Sequence, residues 1–426
     1  MSLKETLKKI PGLRFAVQMV KYALPETKAA LDLMHQRKRH FGKPIRVGFL
    51  CQYLPAWDKL EPVYRKMERD DRFEPVLLCV PSGVENNRLK DPDSLENDTY
   101  DYFVKLGYPA VNTLIGKEQW LDLEGMELQY IFCVRPYNSF MPVEYTSRRL
   151  ARHSKVCLMM YGMPFGREDW AIMANRDFIS RVYFPFAESR AFCRLRRQQH
   201  PLKHLFGLQK TVCVGLPAGQ SILASRDKTS ASWSFSQNDF RVMWTPRWTT
   251  DPKVGGTNFF AYRDAILDYA ENHPDTDILL RPHPLMFDNF LKTGEMTREE
   301  VAAYQTRCGQ IPNAAFDTER RYDATFWGSS VLVSDISGVI PEYLFTGKPV
   351  IFCNTNCDMA LLEPMAVLLD ACYQVRNREE LEACLDALHR GEDPLAQKRQ
   401  AALQCVFGGN DDPAEMILQQ LLSDEK

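Results

Sequence analysis

Two polar side chains that could bind an anion follow an apolar run in the second half of the chain. Arg281 and His283 come directly after Asp277–Leu280, and Pro282 and Pro284 restrict the backbone around them. Arginine offers a planar fork of donors to phosphate oxygens, and histidine can donate to a bridging oxygen or carry a proton near neutral pH. The spacing predicts an anion site at a strand end. The alternative is a surface arginine beside a histidine that is satisfied in the core.

A second motif follows a later apolar run. It consists of Ser334, Asp335, Ile336, Ser337 and Gly338. The motif precedes a helix predicted over 339–345, and its serines and aspartate are good N-caps. The same helix start would leave backbone N–H groups facing outward, with glycine permitting close approach of a ligand. The motif therefore predicts either a helix cap or a pyrophosphate site, and we place Glu342, on the predicted helix, in the donor-binding set.

Two more strand ends could face the same cleft. Arg247 follows the strand predicted over 240–244, and it is either a phosphate clamp or a solvated residue beside a packed aromatic. In the first half, Tyr161, Gly162 and Pro164 follow an apolar run that ends at Met160. We expect them on the acceptor side of the cleft, or in a turn with a packed tyrosine.

Several common site patterns are absent from the sequence. No G-x-G-x-x-G follows the first predicted strand, and neither a P-loop nor a serine nucleophile elbow occurs, which disfavours hydride transfer and P-loop phosphoryl transfer. The one close cysteine pair, Cys353 and Cys357, has no second pair or histidine pair to complete a zinc site. We therefore expect neither a metal nor a cofactor.

The composition is that of a globular protein with more than one core. The chain has 426 residues, 45% of them hydrophobic and 25% charged, and its net charge is −2. This length predicts two domains of roughly 200 residues each, and the balanced charge gives no general field for nucleic acid. The cysteines lie mostly in apolar runs, and the sequence shows neither a signal-peptide pattern nor an apolar run long enough to cross a bilayer. We expect a cytoplasmic protein.

The first 43 residues differ from the rest. Lys4, Lys8 and Lys9 alternate there with apolar residues, and a basic cluster closes the segment at 37–40. Such a basic amphipathic helical segment either packs on the domain behind it or lies on the inner face of the cell membrane, attracted to anionic lipid.

From residue 44 onward, short apolar runs alternate with helical stretches, as in a parallel sheet with crossover helices. Strands are predicted at 45–51, 74–80, 128–134, 156–160, 182–185 and 212–214, and then at 240–244, 277–280, 330–333 and 348–352. The apolar-poor region 217–239 predicts a linker. The sequence thus predicts an α/β protein with two Rossmann-like domains facing a cleft, at 44–220 for the acceptor and 240–426 for a nucleotide donor.

The combination of motifs resembles the CDP-glycerol glycerophosphotransferase family, the teichoic acid primases and polymerases. The resemblance rests on Arg281-x-His283-Pro, on Ser334-Asp335-x-Ser337-Gly338, on Gly347-Lys-Pro and on Phe407-Gly-Gly-Asn410-Asp411, and it spans roughly 130 to the C-terminus. It implies a GT-B architecture, a CDP-linked polyol donor and an acceptor at the inner membrane surface. It also implies release of CMP without a required metal, with His283 in donor phosphate binding and catalysis and the serine–aspartate turn on the phosphates.

One position departs from the family. Where the family has a second catalytic histidine, proposed as the base for the acceptor hydroxyl, this chain has Tyr161. A phenol is a poor base at neutral pH. Tyr161 could position the acceptor while His283, Asp335 or another carboxylate is the base; the chain could transfer another group; or it could have lost activity.

The leading hypothesis is transfer of glycerol or ribitol phosphate from a CDP-linked donor to a hydroxyl of a cell-envelope or capsule polymer or of a lipid-linked acceptor. The alternatives are a nucleotide-sugar glycosyltransferase or epimerase of the same architecture, and a non-catalytic binding or scaffold protein.

Overall fold

The structure, a computed structural model, describes residues 26–36, 44–408 and 412–425. Most of the predicted amphipathic segment, at 1–25 and 37–43, lies outside these residues, as do positions 409–411 of the predicted C-terminal motif. Within the described part of that segment, 26–36 are helical.

Two parallel sheets, one in each half of the chain, form the framework. The strands are β1 Ile45–Cys51, β2 Phe73–Cys79, β3 Val84–Glu85, β4 Arg88–Leu89, β5 Ala110–Asn112, β6 Leu114–Gly116, β7 Gln119–Trp120, β8 Tyr130–Cys133, β9 Lys155–Leu158, β10 Phe184–Ala187, β11 Val212–Cys213, β12 Phe240–Thr245, β13 Thr276–Leu280, β14 Ala314–Phe316, β15 Val331–Ser334, β16 Val350–Cys353 and β17 Tyr373–Val375.

The first sheet has seven strands in the order β11-β10-β9-β8-β1-β2-β5, and the second has six in the order β14-β13-β12-β15-β16-β17. Their paired strands all run parallel; Ile45 of β1, for example, lies opposite Phe73 of β2. Two antiparallel pairs, β3-β4 and β6-β7, stand apart from the sheets.

Helices connect the strands on both sides of each sheet. Besides 26–36, the α-helices of the described residues are Glu61–Met67, Asp98–Lys105, Ser147–Leu150, Arg167–Met173, Arg176–Ile179, Arg190–Gln199, Pro201–Leu205, Pro217–Leu223, Phe259–Asn272, Met286–Thr293, Arg298–Gln310, Asp323–Gly328, Val339–Tyr343, Glu363–Leu369, Arg378–His389, Ala396–Phe407 and Pro413–Asp424. Short 3-10 helices lie at Leu54–Lys59, Asn138–Phe140, Val143–Tyr145, Ala231–Trp233, Pro252–Val254 and Leu344–Thr346. Local sequence sets several helix starts; Thr297 and Glu300, for example, form a capping box at Arg298–Gln310.

The central strands agree with the sequence prediction because they are short apolar runs buried on both faces. Every residue of β8, β9, β10, β15 and β16 is buried. The predicted bounds of β1 match the observed ones, and most of the other predicted strands are displaced by one or two residues. The edge strands β5, β14 and β17 were not predicted, because three residues give too short an apolar pattern.

The region predicted as a linker is structured. Pro217–Leu223 is a helix whose Ala218, Gly219 and Ile222 are buried. Trp233 is buried as well, and its indole nitrogen donates to the carbonyl of Thr325 at 2.9 Å. Residues 217–233 therefore pack against the lobes that they connect.

The last helix crosses back to the first lobe, although the sequence analysis assigned 240–426 to the second. Ala414, Ile417, Leu418 and Leu421 of Pro413–Asp424 belong to the apolar core of the first sheet. The carboxylate of Asp424 pairs there with Lys155 at 2.8 Å and with Lys210 at 2.5 Å. The sequence gives no sign of this return, because an amphipathic helix can pack on either sheet.

The two lobes also contact each other directly beside the cleft. A backbone bridge joins them, in which the amide of Leu362 donates to the carbonyl of Phe165 at 2.8 Å and the amide of Arg167 donates to that of Ala360 at 3.1 Å. Gly166 fits against Met359 so closely that a Cβ at this position would lie 2.2 Å from the Met359 Cγ. Only glycine is compatible with this contact.

None of the helices in the described ranges combines the length and the apolar character needed to span a bilayer.

Candidate functional site

Three strand tips of the second sheet meet at the point where the strand order reverses. β12 lies between β13 and β15, so the carboxyl ends of these strands form the crevice in which open α/β sheets bind ligands. The backbone joins the tips: the His283 amide donates to the Pro246 carbonyl at 3.0 Å, and the Arg247 amide donates to the Asp335 carboxylate at 2.7 Å. The structure therefore brings His283, Arg247 and the serine–aspartate turn together.

The guanidinium at this junction is that of Arg247. One Nη donates to the carbonyl of Ile336 at 2.6 Å, while the Nε is buried without a hydrogen-bond partner in the described part of the chain. Burial lowers the pKa of Arg247, and the nearby carboxylates of Asp169 and Asp335 act in the opposite direction. Asp169 belongs to helix Arg167–Met173 of the first lobe, so Arg247 interacts electrostatically with carboxylates of both lobes. Such an arginine has donors left for an anionic ligand.

His283 lies beside Arg247 as a neutral imidazole. Burial, and then the charge of Arg247, lowers its pKa from 6.5 to about 4. The amide of Leu285 donates to Nδ1 at 3.1 Å, which places the imidazole proton on Nε2. At neutral pH the side chain is thus a hydrogen-bond donor through Nε2 and a weak base, which agrees with the predicted phosphate contact and disfavours a role as general base.

Asp335, predicted as catalytic, is enclosed below the site. The residue is fully buried, and its carboxylate accepts four hydrogen bonds, from the Arg247 amide, the Thr257 hydroxyl, the Asn258 amide and the Asn258 side chain. Burial raises its pKa despite these bonds. Because both oxygens are occupied and water cannot reach them, the geometry assigns Asp335 to positioning Arg247 and the loop at 257–258.

Of the serine–aspartate turn, only the last two residues are open to a ligand. Ser334 is fully buried; its hydroxyl donates to the Asp335 carbonyl at 2.8 Å and accepts from Thr245 at 2.8 Å. Ser337 is half-buried, and Gly338 is exposed with open space where a Cβ would stand. The expected contact with phosphate is therefore left to Ser337 and Gly338, which begin helix Val339–Tyr343.

Arg281 does not face the cleft as predicted. Its guanidinium pairs with the carboxylate of Asp317 and donates to the carbonyls of Glu319 at 2.8 Å and Arg320 at 3.0 Å. These bonds tie the loop after β14 to the end of β13. Pro282 sets the direction of the chain between the two residues, so that Arg281 and His283 point to different neighbours.

Glu342, predicted as a donor-binding residue, is engaged between the lobes. Its carboxylate pairs with the ammonium group of Lys59 at 2.6 Å and accepts from the hydroxyl of Tyr322 at 2.6 Å. Lys59 is 3% exposed and also contacts Asp58. Both carboxylate oxygens are occupied, so the observed role is an interdomain contact.

The acceptor-side residues line the first lobe. The hydroxyl of Tyr161 lies 3.2 Å from that of Tyr137, and burial raises its pKa, which makes it a neutral hydrogen bonder and a poor base. Gly162 is half-buried with open space around it, whereas Pro164 is buried.

Three charged residues of the first lobe were missed by sequence reasoning. Glu188 directly follows β10, and Arg135 comes shortly after β8. The carboxylate of Asp169 acts electrostatically on Arg247. For Arg135 and Glu188 the available signal was their position after an apolar run, as for His283. Asp169 lies in a helix and had no such signal.

A cavity of about 600 Å³ adjoins the turn at the carboxyl ends of β16 and β17. Ile336, whose carbonyl accepts from Arg247, is one of its lining residues, and Asn354, Gln374 and Asp370 contribute polar groups to a lining that is otherwise mostly apolar. Within the described ranges, no group of three His, Cys, Asp or Glu side chains is arranged to hold a metal ion.

Two Rossmann-like lobes with parallel sheets facing a cleft define the GT-B fold, as expected.

No family model matches the chain. No curated protein matches it either. Solved structures do match. A UDP-GlcNAc 2-epimerase from Neisseria meningitidis bound to UDP-GlcNAc aligns with a TM-score of 0.61 and 13% identity, over 89% of this chain and 99% of that one.

The wall teichoic acid polymerase TagF aligns with a TM-score of 0.57 and 14% identity over 98% of both chains, and TagF structures soaked with CDPG align as well. The MnaA protein of S. aureus in complex with UDP aligns with a TM-score of 0.57 and 11% identity, over 88% of this chain and 95% of that one. At these identities the likeness establishes the fold. The TagF match over nearly the whole chain agrees with the GT-B architecture that the motif resemblance implies.

Proposed function

We propose that the protein is a transferase that moves a polyol phosphate, glycerol or ribitol phosphate, from a CDP-linked donor to a hydroxyl of a polymer or lipid-linked acceptor of the cell envelope. The observation that carries this proposal is that two donors, the Arg247 guanidinium and the Nε2–H of His283, lie near each other at strand tips joined to the open turn at Gly338. A guanidinium, a neutral imidazole donor and a glycine turn together suit a diphosphate.

In the proposed reaction the acceptor oxygen attacks the β-phosphorus of the donor. The new oxygen–phosphorus bond forms as the bond from the β-phosphorus to the bridging oxygen breaks, and CMP leaves with that electron pair. Arg247 and His283 would stabilise the charge that develops on the bridging and terminal oxygens, with no metal required. Both groups are held in place before the reaction by backbone bonds and buried neighbours.

The proton of the acceptor hydroxyl needs a base, and we assign this role to Asp169. Tyr161 holds its proton too tightly, and Asp335 is enclosed. Asp169 is half-buried on the acceptor wall, interacts with Arg247, and has its pKa raised above 3.8 by burial, which strengthens it as a base. Tyr161 would hydrogen-bond the acceptor.

The nucleoside is assigned to the cavity beside Ile336. Its volume of about 600 Å³ is in the range of small-molecule pockets. Asn354 donates to Gln374 at 3.1 Å and Gln374 donates to the Leu369 carbonyl at 3.3 Å, and each amide has a second N–H with which it can donate to a base. A partly apolar lining would pack against the ring.

The direct test is release of nucleotide from CDP-glycerol, CDP-ribitol and UDP-sugars in the presence of a lipid acceptor. We expect CMP from a CDP donor and a loss of at least ~100-fold in kcat with His283→Ala or Arg247→Gln, because each removes a contact that strengthens as charge develops. The exposed Arg298 of the second lobe gives a matched control for Arg247 in Arg298→Gln. Full activity of both site variants would refute the assignment.

Two alternatives have specific support. The epimerase bound to UDP-GlcNAc shares the fold, so a preference for UDP over CDP in calorimetry would favour a nucleotide-sugar enzyme. A tyrosine at position 161 in place of the family's histidine favours a non-catalytic binding protein, which would release no nucleotide from any donor. The proposed polyol-phosphate transferase would be cytoplasmic, with residues 1–40 against the inner membrane surface.

A further inference from the structure

A cluster of one arginine and several tyrosines lies at the carboxyl edge of the first sheet, apart from the donor residues. In this sheet the strand order reverses between β1 and β8, which gives the first lobe a crevice of its own. Gln52 and Tyr53 follow β1, Arg135 and Tyr137 follow β8, and Tyr161 follows β9. Three neighbouring strands therefore deliver one arginine and three tyrosines to one crevice.

The charge of Arg135 has no carboxylate partner in the described part of the chain. Its one side-chain hydrogen bond with a described residue runs from Nη1 to the side-chain oxygen of Gln52, at 3.0 Å. Aromatic rings surround the rest of the guanidinium, whose carbon lies 3.9 Å from the ring centre of Phe140 and 4.9 Å from that of Tyr53. Burial lowers the pKa of this guanidinium. A partly desolvated cation with unused donors attracts an anion strongly.

The tyrosines around Arg135 supply groups that suit a hydroxylated chain. The hydroxyls of Tyr137 and Tyr161 share a hydrogen bond of 3.2 Å, and the Tyr53 and Tyr161 rings meet edge to face. Gly162 leaves open space next to Tyr161. Flat rings with hydroxyl rims can stack on and hydrogen-bond a polyol or a sugar.

We infer that Arg135 binds a phosphate group of the acceptor, while Tyr53, Tyr137 and Tyr161 contact the hydroxylated part of the same chain. The inference deepens and rests on the proposed function, since it specifies the acceptor as a phosphate-bearing polyol or sugar chain. Two separate anion sites then face the cleft: Arg247 and His283 for the donor, and Arg135 for the acceptor. Arg135 is a specificity-determining residue that excludes neutral acceptors.

The experiment is calorimetric titration of the full chain with glycerol 3-phosphate, with glycerol and inorganic phosphate as separate probes. We expect glycerol 3-phosphate to bind more tightly than either probe alone. Arg135→Gln should weaken it at least ~10-fold, and Arg135→Lys should weaken it less, because lysine retains the charge and loses the fork. Arg69→Gln is the matched control, because Arg69 is exposed in the turn before β2, at the opposite edge of the sheet.

The donor site provides the second control. Arg247→Gln should reduce CDP binding and leave glycerol 3-phosphate binding unchanged, whereas Arg135→Gln should do the reverse. Equal binding of glycerol 3-phosphate by wild type and Arg135→Gln, or its loss in Arg247→Gln alone, would overturn the inference. Absence of CDP binding with an intact Arg135 effect would instead remove the proposed function and retain the anion site. Melting temperatures of all the variants test folding, because Arg135→Gln also removes the contacts of the guanidinium with Gln52 and with the Phe140 and Tyr53 rings.

Discussion

Replacing Asp335 with asparagine tests whether this buried carboxylate positions the donor site or takes part in the chemistry. In the wild type, one carboxylate oxygen accepts from the Arg247 amide at 2.7 Å and the Thr257 hydroxyl at 2.8 Å. The other accepts from the amide and the side chain of Asn258, at 3.1 and 2.8 Å. Asparagine must present an NH₂ group to one of these pairs of donors.

The least costly arrangement turns the new NH₂ toward Thr257, whose hydroxyl can rotate and accept from it. The Arg247 amide is then left facing a donor. Loss of hydrogen bonds to a charged acceptor is worth about 1.5–3 kcal/mol each, and removal of the buried charge offsets part of this. We therefore expect the free energy of unfolding of the second lobe to fall by about 2–4 kcal/mol. Because Arg247 is displaced, the affinity for CDP should fall at least ~10-fold.

Urea denaturation followed by tryptophan fluorescence measures the first quantity, and calorimetry with CDP measures the second. Asp251→Asn is a suitable control, because Asp251 is exposed in the same lobe and caps only the Lys253 amide, at 3.0 Å. An Asp335→Asn protein with wild-type stability and CDP affinity but no turnover would refute this reasoning, because that combination is the signature of a catalytic carboxylate.

Three further changes have defined outcomes. Lys59→Met leaves the buried carboxylate of Glu342 without its cationic partner and should lower the free energy of unfolding by about 3–5 kcal/mol. The double variant with Glu342→Gln should recover part of this loss, and urea melts that show no recovery would contradict the pairing. Gly166→Ala places a methyl group against Met359 and should open the lobes, seen as a larger radius of gyration in X-ray scattering, whereas Met359→Ala should restore the closed form. Burial raises the pKa of Glu188 from 4.5 to about 7, so the native state keeps a proton that the unfolded state loses as pH rises between these values. Wild-type stability should therefore fall over this window by up to about 3 kcal/mol relative to Glu188→Gln, and parallel pH profiles of the two proteins would show the shift to be absent.

Much of the fold could be predicted from the sequence, because the signal is local. A parallel strand buried on both faces must be apolar along its whole length, so runs such as Ile45–Cys51 and Phe240–Thr245 are visible without any knowledge of their neighbours. The alternation of strands and helices likewise predicts parallel sheets, whereas the order of the strands was not predicted. The short edge strands and the return of Pro413–Asp424 to the first lobe have no such signal.

The sequence by itself determined that His283, Arg247 and the serine–aspartate turn lie at strand tips, because polar residues after buried strands must lie at the carboxyl edge of a sheet. Only the tertiary structure decided which side chains face the cleft. Arg281 turns to Asp317 and Glu342 turns to Lys59, so both are taken by partners far along the chain, while Arg247 keeps donors available. The physical reason is that a charged side chain points to the partner that best offsets its desolvation, and the identity of that partner is fixed when distant segments pack together.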